Sequence, residues 1–216
     1  MKVAILGSGQ VGRVLGSAFL KEGHLVMLGT RDVNKAEVKE WLLQNPGSSA
    51  GSFADCARFG EIIVLAVSGD IAAQVISSAG ISNFDGKPVI DPTNPIDHTR
   101  PPVNGVLPFF TSGEESLMER LQKMLPGAKL VKAFNSVGSA YMYKPDFGGE
   151  KPTMFICGND EAAKSTVKEI LDSFGWETED MGKAEAARPI ESLCVLWCLP
   201  GFIRGQWAHA FRLLKK

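Results

Sequence analysis

The chain has 216 residues, 44% hydrophobic and 22% charged, and its 23 basic and 24 acidic side chains give a formal net charge of -1. That balance suits one large globular domain, or one domain with a short appendage, and supplies no bulk field to draw the chain onto nucleic acid or a membrane surface. No unbroken run of roughly 18 apolar residues appears, so no membrane-spanning helix is expected.

Gly7 ends the apolar run Val3–Leu6 too early for a secretory core. The four cysteines, Cys56, Cys157, Cys194 and Cys198, form no CxxC pair, and Cys194 and Cys198 stand four apart on one helical face. Reduced thiols and the missing export signal point to the cytoplasm.

In chain order, short apolar runs alternate with amphipathic stretches, the pattern of a parallel α/β sheet. Val3–Leu6 reads as the first strand. Val11, Val14, Leu15, Ala18 and Phe19 then recur on one helical face, and Leu25–Leu28 is the second strand. A very short strand near Ser49–Gly51 completes the first half, followed by strands Ile62–Val67 and Val89–Ile90. Pro92–Pro108, with five prolines, reads as a loop lying over the crevice of the sheet. Leu130–Phe134, Phe155–Cys157 and a weaker Thr178–Met181 are the remaining strands.

Between the last two strands a helix is expected from Asp160 to about Phe174, acidic at its start and stopped by Gly175. From Ala184 the chain changes to two helical patterns broken at Pro200-Gly201. Ile190, Leu193, Cys194 and Trp197 line the first, and Trp207, Phe211 and Leu214 the second. The expected architecture is a Rossmann-type, doubly wound, mostly parallel sheet over residues 1–182, with a short helical C-terminal extension over residues 183–216.

Gly7-Ser8-Gly9-Gln10-Val11-Gly12 matches GxGxxG, directly after a strand and opening an amphipathic helix. Gly7 permits the tight turn, Gly9 lets backbone approach a pyrophosphate, and Gly12 lets helix and strand pack closely. The pyrophosphate then meets free amides at the positive end of the helix. The residues ending the second strand select the cofactor. An NAD site places an acid there; here Gly29 is followed by Thr30-Arg31, with Lys35 one helical turn on. A hydroxyl and a guanidinium suit a 2′-phosphate that an acid would repel, so NADP(H) is expected. Asp32 is the residue that could instead serve as a ribose acid.

These residues resemble the coenzyme F-420-dependent NADP oxidoreductases and their bacterial relatives, over essentially the whole chain. Gly29-Thr30-Arg31 with Lys35 looks like the family's 2′-phosphate site. Ile63-Val64-Leu65-Ala66-Val67-Ser68 looks like its fourth strand, and Ile90–Pro95 and Val131–Asn135 like the segments beneath the nicotinamide. Phe155–Asp160 and Ala186–Leu193 resemble its C-terminal signatures. The Pro92–Pro95 and Lys132–Asn135 segments are also similar to the NADPH-binding domain of membrane metalloreductases.

The resemblance implies direct hydride transfer between NADPH and a planar acceptor, a deazaflavin such as coenzyme F-420 or a flavin (FMN or FAD), without a protein acid, base or nucleophile. The implied cofactor-contacting set includes Ala66, Val67, Ser68, Asn94, Ala133 and Asn135. It also implies a homodimer formed through the aromatic C-terminal segment, rich in Trp197, Phe202, Trp207 and Phe211.

The residues themselves agree with that chemistry. They offer no Ser/His/Asp or Cys/His set and no metal-ligand spacing, and His24, His98 and His209 read as surface histidines. Asn94 and Asn135 each follow a strand and could hold a carboxamide or cap their own turn. A redox sensor that binds NADP(H) without turnover, and a flavin-mediated ferric or cupric reductase, stay open. A hydroxyacid or imine dehydrogenase does not fit, because the ~35 residues after the sheet are too few for a substrate domain.

Overall fold

The computed structural model describes all of residues 1–216. Its strands fall where the apolar runs lie: β1 (Lys2–Leu6), β2 (Leu25–Gly29), β3 (Ser49–Gly51), β4 (Ile62–Val64), β5 (Pro88–Asp91), β6 (Lys129–Lys132), β7 (Thr153–Gly158) and β8 (Glu177–Asp180). They form one eight-stranded sheet in the order β3-β2-β1-β4-β5-β6-β7-β8, parallel except where β7 runs against β6. Successive side chains of a strand face opposite ways, and both ways are buried here. Val3 and Ile5 join one core cluster with Leu15, Phe19 and Trp41, while Ala4 and Leu6 join the other with Cys56, Ile63 and Val75. That explains why the strands read as continuous apolar runs rather than alternating ones.

The helices are α1 (Gln10–Lys21), α2 (Ala36–Gln44), α3 (Phe53–Phe59), α4 (Ala72–Ala79), α5 (Leu117–Met124), α6 (Glu161–Ser173) and α7 (Ala187–Arg204). Asp160 proves to be the N-cap of α6, accepting a 2.8 Å bond from Ala163 N, and Gly175 follows the helix at φ 88°. Two strands are shorter than expected. β4 stops at Val64, short of Val67. β6 stops at Lys132 because Phe134 takes the left-handed conformation (φ 64°), a costly choice for a residue with a Cβ, and the backbone turns away from the sheet there.

The expected break at Pro200-Gly201 does not occur. α7 runs through Pro200 and ends at Gly205, which adopts the left-handed C-cap. A proline removes one helical hydrogen bond, and the packing of Ile190, Cys194 and Trp197 holds the helix past it. The second expected helix is absent. Residues 206–216 fold back instead: Trp207 packs on Gly201, where a Cβ would lie 2.4 Å from its ring, and Thr153 N donates to Phe211 O at 2.8 Å. Cys194 and Cys198 share a face of α7 as expected, the first buried and the second half-buried.

Ala184–Arg204 also departs from expectation by being long and apolar enough to cross a membrane, judged by length and composition alone. Arg188 and Glu191 interrupt its apolar run, so the sequence shows no unbroken stretch there. In the fold that same Glu191 is buried in an ion pair.

Candidate functional site

The strand order reverses between β1 and β4, and in open α/β sheets the crevice at that point receives ligands. Here the carboxyl ends of β2, β1, β4 and β5 open onto a cleft of about 490 Å³. Gly7–Val11 form its floor. Gly7 sits at φ 123°, and a Cβ there would lie 2.1 Å from Ala66 O, so the turn exists only because glycine lets the ends of β1 and β4 touch. A Cβ on Gly12 would lie 2.1 Å from Gly7 O, which seats α1 on the loop; above Gly9 nothing lies within 4 Å. The free amides of α1 therefore face open space.

Thr30, Arg31 and Lys35 form the wall beyond β2, with Phe53 and Ile71 across from them. Thr30 is buried and locked, its Oγ1 accepting from Ser8 Oγ at 3.1 Å and donating to Asp32 O at 3.2 Å. Arg31 and Lys35 have no carboxylate partner. Asp32 does not line the cleft; its Oδ1 accepts from Asn34 N at 2.8 Å and closes a local turn. No Asp, Glu or Cys is among the cleft-lining residues.

The far wall is Pro92–Asn94, Ile96 and His98. Beneath it lies a fully buried ion cluster. Lys132 Nζ stands 2.8 Å from Asp91 Oδ2 and 2.9 Å from Glu191 Oε1, and donates to Thr93 O at 2.8 Å, with no exposure at Lys132 or Asp91. Burial opposes the ammonium charge, but Asp91 and Glu191 together outweigh it and hold its pKa above the usual lysine range. Asp91 Oδ1 accepts from Thr93 N and Oγ1, and Glu191 accepts from Leu117 N and Met118 N at the start of α5. One lysine thus ties β5, β6, α5 and α7 to the backbone of the cleft wall.

The same fold relates this chain to known proteins. The model of the family described as "NADP oxidoreductase coenzyme F420-dependent" matches residues 2–95. A solved candidate F420-dependent NADP-reductase from Arthrobacter sp. FB24 is 32% identical, with a TM-score of 0.93 and 100% of each chain covered. This chain belongs to the F420-dependent NADP oxidoreductase family. The F420-dependent NADP reductase of Methanothermobacter thermautotrophicus is 26% identical across 91% of this chain and 87% of its own length. Metalloreductase STEAP3 of Rattus norvegicus is 28% identical across 89% of this chain, which spans only 36% of that protein.

The structure brings twelve of the fifteen expected residues of this NADP-dependent oxidoreductase to one cleft: Gly7, Ser8, Gly9, Gln10, Val11, Thr30, Arg31, Lys35, Ala66, Val67, Ser68 and Asn94. It does not bring Gly12, Ala133 or Asn135 there. Gly12 is buried against the loop, and Ala133 is wholly enclosed in the core. Asn135 lies under the wall, its Nδ2 donating to Asn94 Oδ1 at 3.1 Å and Ile190 O at 2.8 Å, while Asn94 Nδ2 donates to Asn135 O at 2.8 Å. The two asparagines lock one another. His98, expected simply on the surface, stands on the cleft rim with Nε2 3.1 Å from Ser68 Oγ. Its place inside a proline-rich loop gave no periodic signal to find it. Phe53 and Ile71 were likewise missed, because each lies in an element of a few residues.

Proposed function

We propose that this chain transfers hydride directly between NADP(H) and a flavin-like ring, a deazaflavin such as coenzyme F-420 or a flavin. The observation that carries the reading is the chemistry of the cleft wall: unpaired cations beyond β2, free helix amides at its floor, amide and apolar groups opposite, and no carboxylate or thiol anywhere on it. Arg31 and Lys35 suit a 2′-phosphate, and Thr30 stands beside them with its hydroxyl already oriented by Ser8. The open space above Gly9 admits a pyrophosphate to the amides of α1. When bound, the dihydronicotinamide supplies the hydride, and a planar acceptor stacked on it needs no protein acid or nucleophile. The chain's part is to bind, orient and exclude water. The locked Asn94–Asn135 pair gives the far wall the rigidity that such positioning needs.

The same reading takes residues 183–216 as the segment that closes the acceptor side and joins two copies. α7 is apolar nearly all round, yet Leu196, Phe202 and Ile203 are exposed beside Val103 and Val106, a combination that suits a buried interface. NADPH oxidation measured with coenzyme F-420, FMN, FAD and a ferric chelate, against no acceptor, tests the function. Turnover is expected with at least one ring compound and none with the chelate alone. Tight NADPH binding with no acceptor-dependent oxidation would replace this reading with a sensor.

A further inference from the structure

We propose that a second cavity, which shares Ile96 and His98 with the cofactor cleft, takes a small apolar ammonium compound and couples its binding to that of the cofactor. The cavity has a volume of about 420 Å³ and lies between the start of α4 and the side of α5. Leu117, Leu121 and Met124 of α5, with Phe110 and Ala73, give it an apolar lining. A cavity of this size, mostly apolar with a few polar groups, is the form that small-ligand sites take.

Four titratable groups line it: Asp70, Asp97, His98 and Arg120. The fold engages three of them. Asp97 accepts from Thr99 N at 2.9 Å, and from Thr99 Oγ1 and Arg100 Nε at 2.6 Å each. Arg120 Nε donates to Glu115 Oε2 at 3.0 Å, and His98 Nε2 stands 3.1 Å from Ser68 Oγ. Asp70, exposed to solvent, has neither an ion pair nor a side-chain hydrogen bond within the chain. The one charge left unanswered is therefore a carboxylate at the mouth of an apolar cavity. A hydrocarbon body with a single ammonium group answers both features. The body displaces water from the α5 side chains, and the ammonium makes a charge-assisted bond to Asp70. The same body bearing a carboxylate would meet Asp70 and Asp97 and be repelled.

The coupling runs through the shared wall. Gly69 lines both cavities and is wedged between the wall and α5: a Cβ there would lie 2.1 Å from Asn94 O and 2.7 Å from Leu117 Cδ2. Leu117 N in turn donates to Glu191 Oε2 of the buried cluster at 2.9 Å. A body seated on Leu117 and Ile96 therefore braces the backbone that faces the cofactor, and it holds His98 against Ser68 at the rim. Two ligands that favour the same arrangement of one wall tighten each other's binding, by the same factor in both directions.

Isothermal titration of the full chain with tryptamine, phenethylamine, 3-ethylindole and indole-3-propionate, with and without saturating NADP+, tests the site. Both amines are expected to bind. Tryptamine binds about three- to tenfold tighter than its neutral counterpart 3-ethylindole, the size of an ion pair at a partly solvated mouth, and indole-3-propionate does not bind. Asp70→Asn brings tryptamine to the affinity of 3-ethylindole and leaves 3-ethylindole unchanged. Ala73→Phe, an exposed change on α4 that puts a ring across the cavity, abolishes binding of the amines and of 3-ethylindole without altering Tm. Saturating NADP+ tightens tryptamine several-fold, and tryptamine tightens NADP+ by the same factor. Failure of both amines to bind, equal Kd values for tryptamine and 3-ethylindole, or a preference that survives Asp70→Asn overturns the site. A tryptamine Kd indifferent to NADP+ overturns the coupling.

Discussion

Replacing Lys132 by Met removes the one cation in a site where Asp91 and Glu191 are buried to 0% and 2% exposure. Methionine fills much the same volume, so the loss is electrostatic. Breaking a buried pair by deleting one partner costs about 3–5 kcal/mol, because the remaining charge is uncompensated. At about 2.1 cal/mol/K per residue, a 216-residue chain converts that into a fall of about 7–11 °C in Tm. The loss is greatest at neutral pH. An uncompensated carboxylate has a raised folded-state pKa, so as pH falls the folded variant takes up a proton and the deficit narrows. Calorimetry of wild type and Lys132→Met at pH 7 and pH 5 reads both effects. Adding Asp91→Asn and Glu191→Gln removes the stranded charges, keeps the acceptor for Thr93 and one of the two acceptors for Leu117 N and Met118 N, and is expected to recover part of the loss. A single-variant change below about 2 °C, or a triple variant no better than the single, would refute this account of the cluster.

Four further outcomes follow from the geometry. Arg31→Ala is expected to weaken NADPH binding by roughly ten- to a hundredfold, the loss of a charge-assisted phosphate contact, and to leave NADH nearly unchanged; titrations with both nucleotides check it, and equal losses would count against a 2′-phosphate role. Gly12→Ala places a Cβ 2.1 Å from Gly7 O, so both Tm and NADPH affinity should fall together, whereas Gly9→Ala, with nothing within 4 Å, should keep Tm and lose affinity. Arg188 holds the Glu119 carboxyl down to about 2, through bonds of 2.6 and 2.9 Å. A depressed carboxylate contributes stability above its unfolded pKa and loses it as pH falls toward the folded value. Urea midpoints should therefore drop between pH 5 and pH 2 by more in wild type than in Arg188→Ala, by a small margin because solvent screens so open a pair. Finally, sedimentation should show a dimer that Phe202→Glu with Ile203→Glu converts to monomer, since both side chains are exposed on α7.

The cofactor side of the cleft was legible because its determinants are local. Gly7 to Gly12 and Thr30 to Lys35 each lie within one strand–helix connection, and spacing alone places them at the end of the sheet. The opposite wall was legible only as a set of signatures. Asp91, Lys132 and Glu191 looked like separate family segments, and nothing in their spacing showed that they meet as one ion cluster. Ala133 was assigned to the cofactor through the family segment Val131–Asn135, and Asn135 also because it ends a strand, but the left-handed turn at Phe134 carries the chain beneath the wall instead of into the cleft. The end of α7 was misread for a related reason. Pro200 breaks a helix by local rules, whereas the packing of Trp197 and the stop at Gly205 are tertiary facts.

The interlocked asparagines also bear on how the molecule assembles in time. The Asn94–Asn135 bond closes a loop of 41 residues, and the Asn135–Ile190 bond another of 55. Such closures come late, because the chain loses loop entropy before these contacts return anything. The nucleotide half, made of neighbouring strand–helix units, needs no such wait. A chain emerging from synthesis would therefore have its glycine-rich turn well before the wall opposite is complete, so the cleft is half built at that moment. Pulse-labelled hydrogen exchange should find β1 and α1 protected ahead of Thr93 and Asn94.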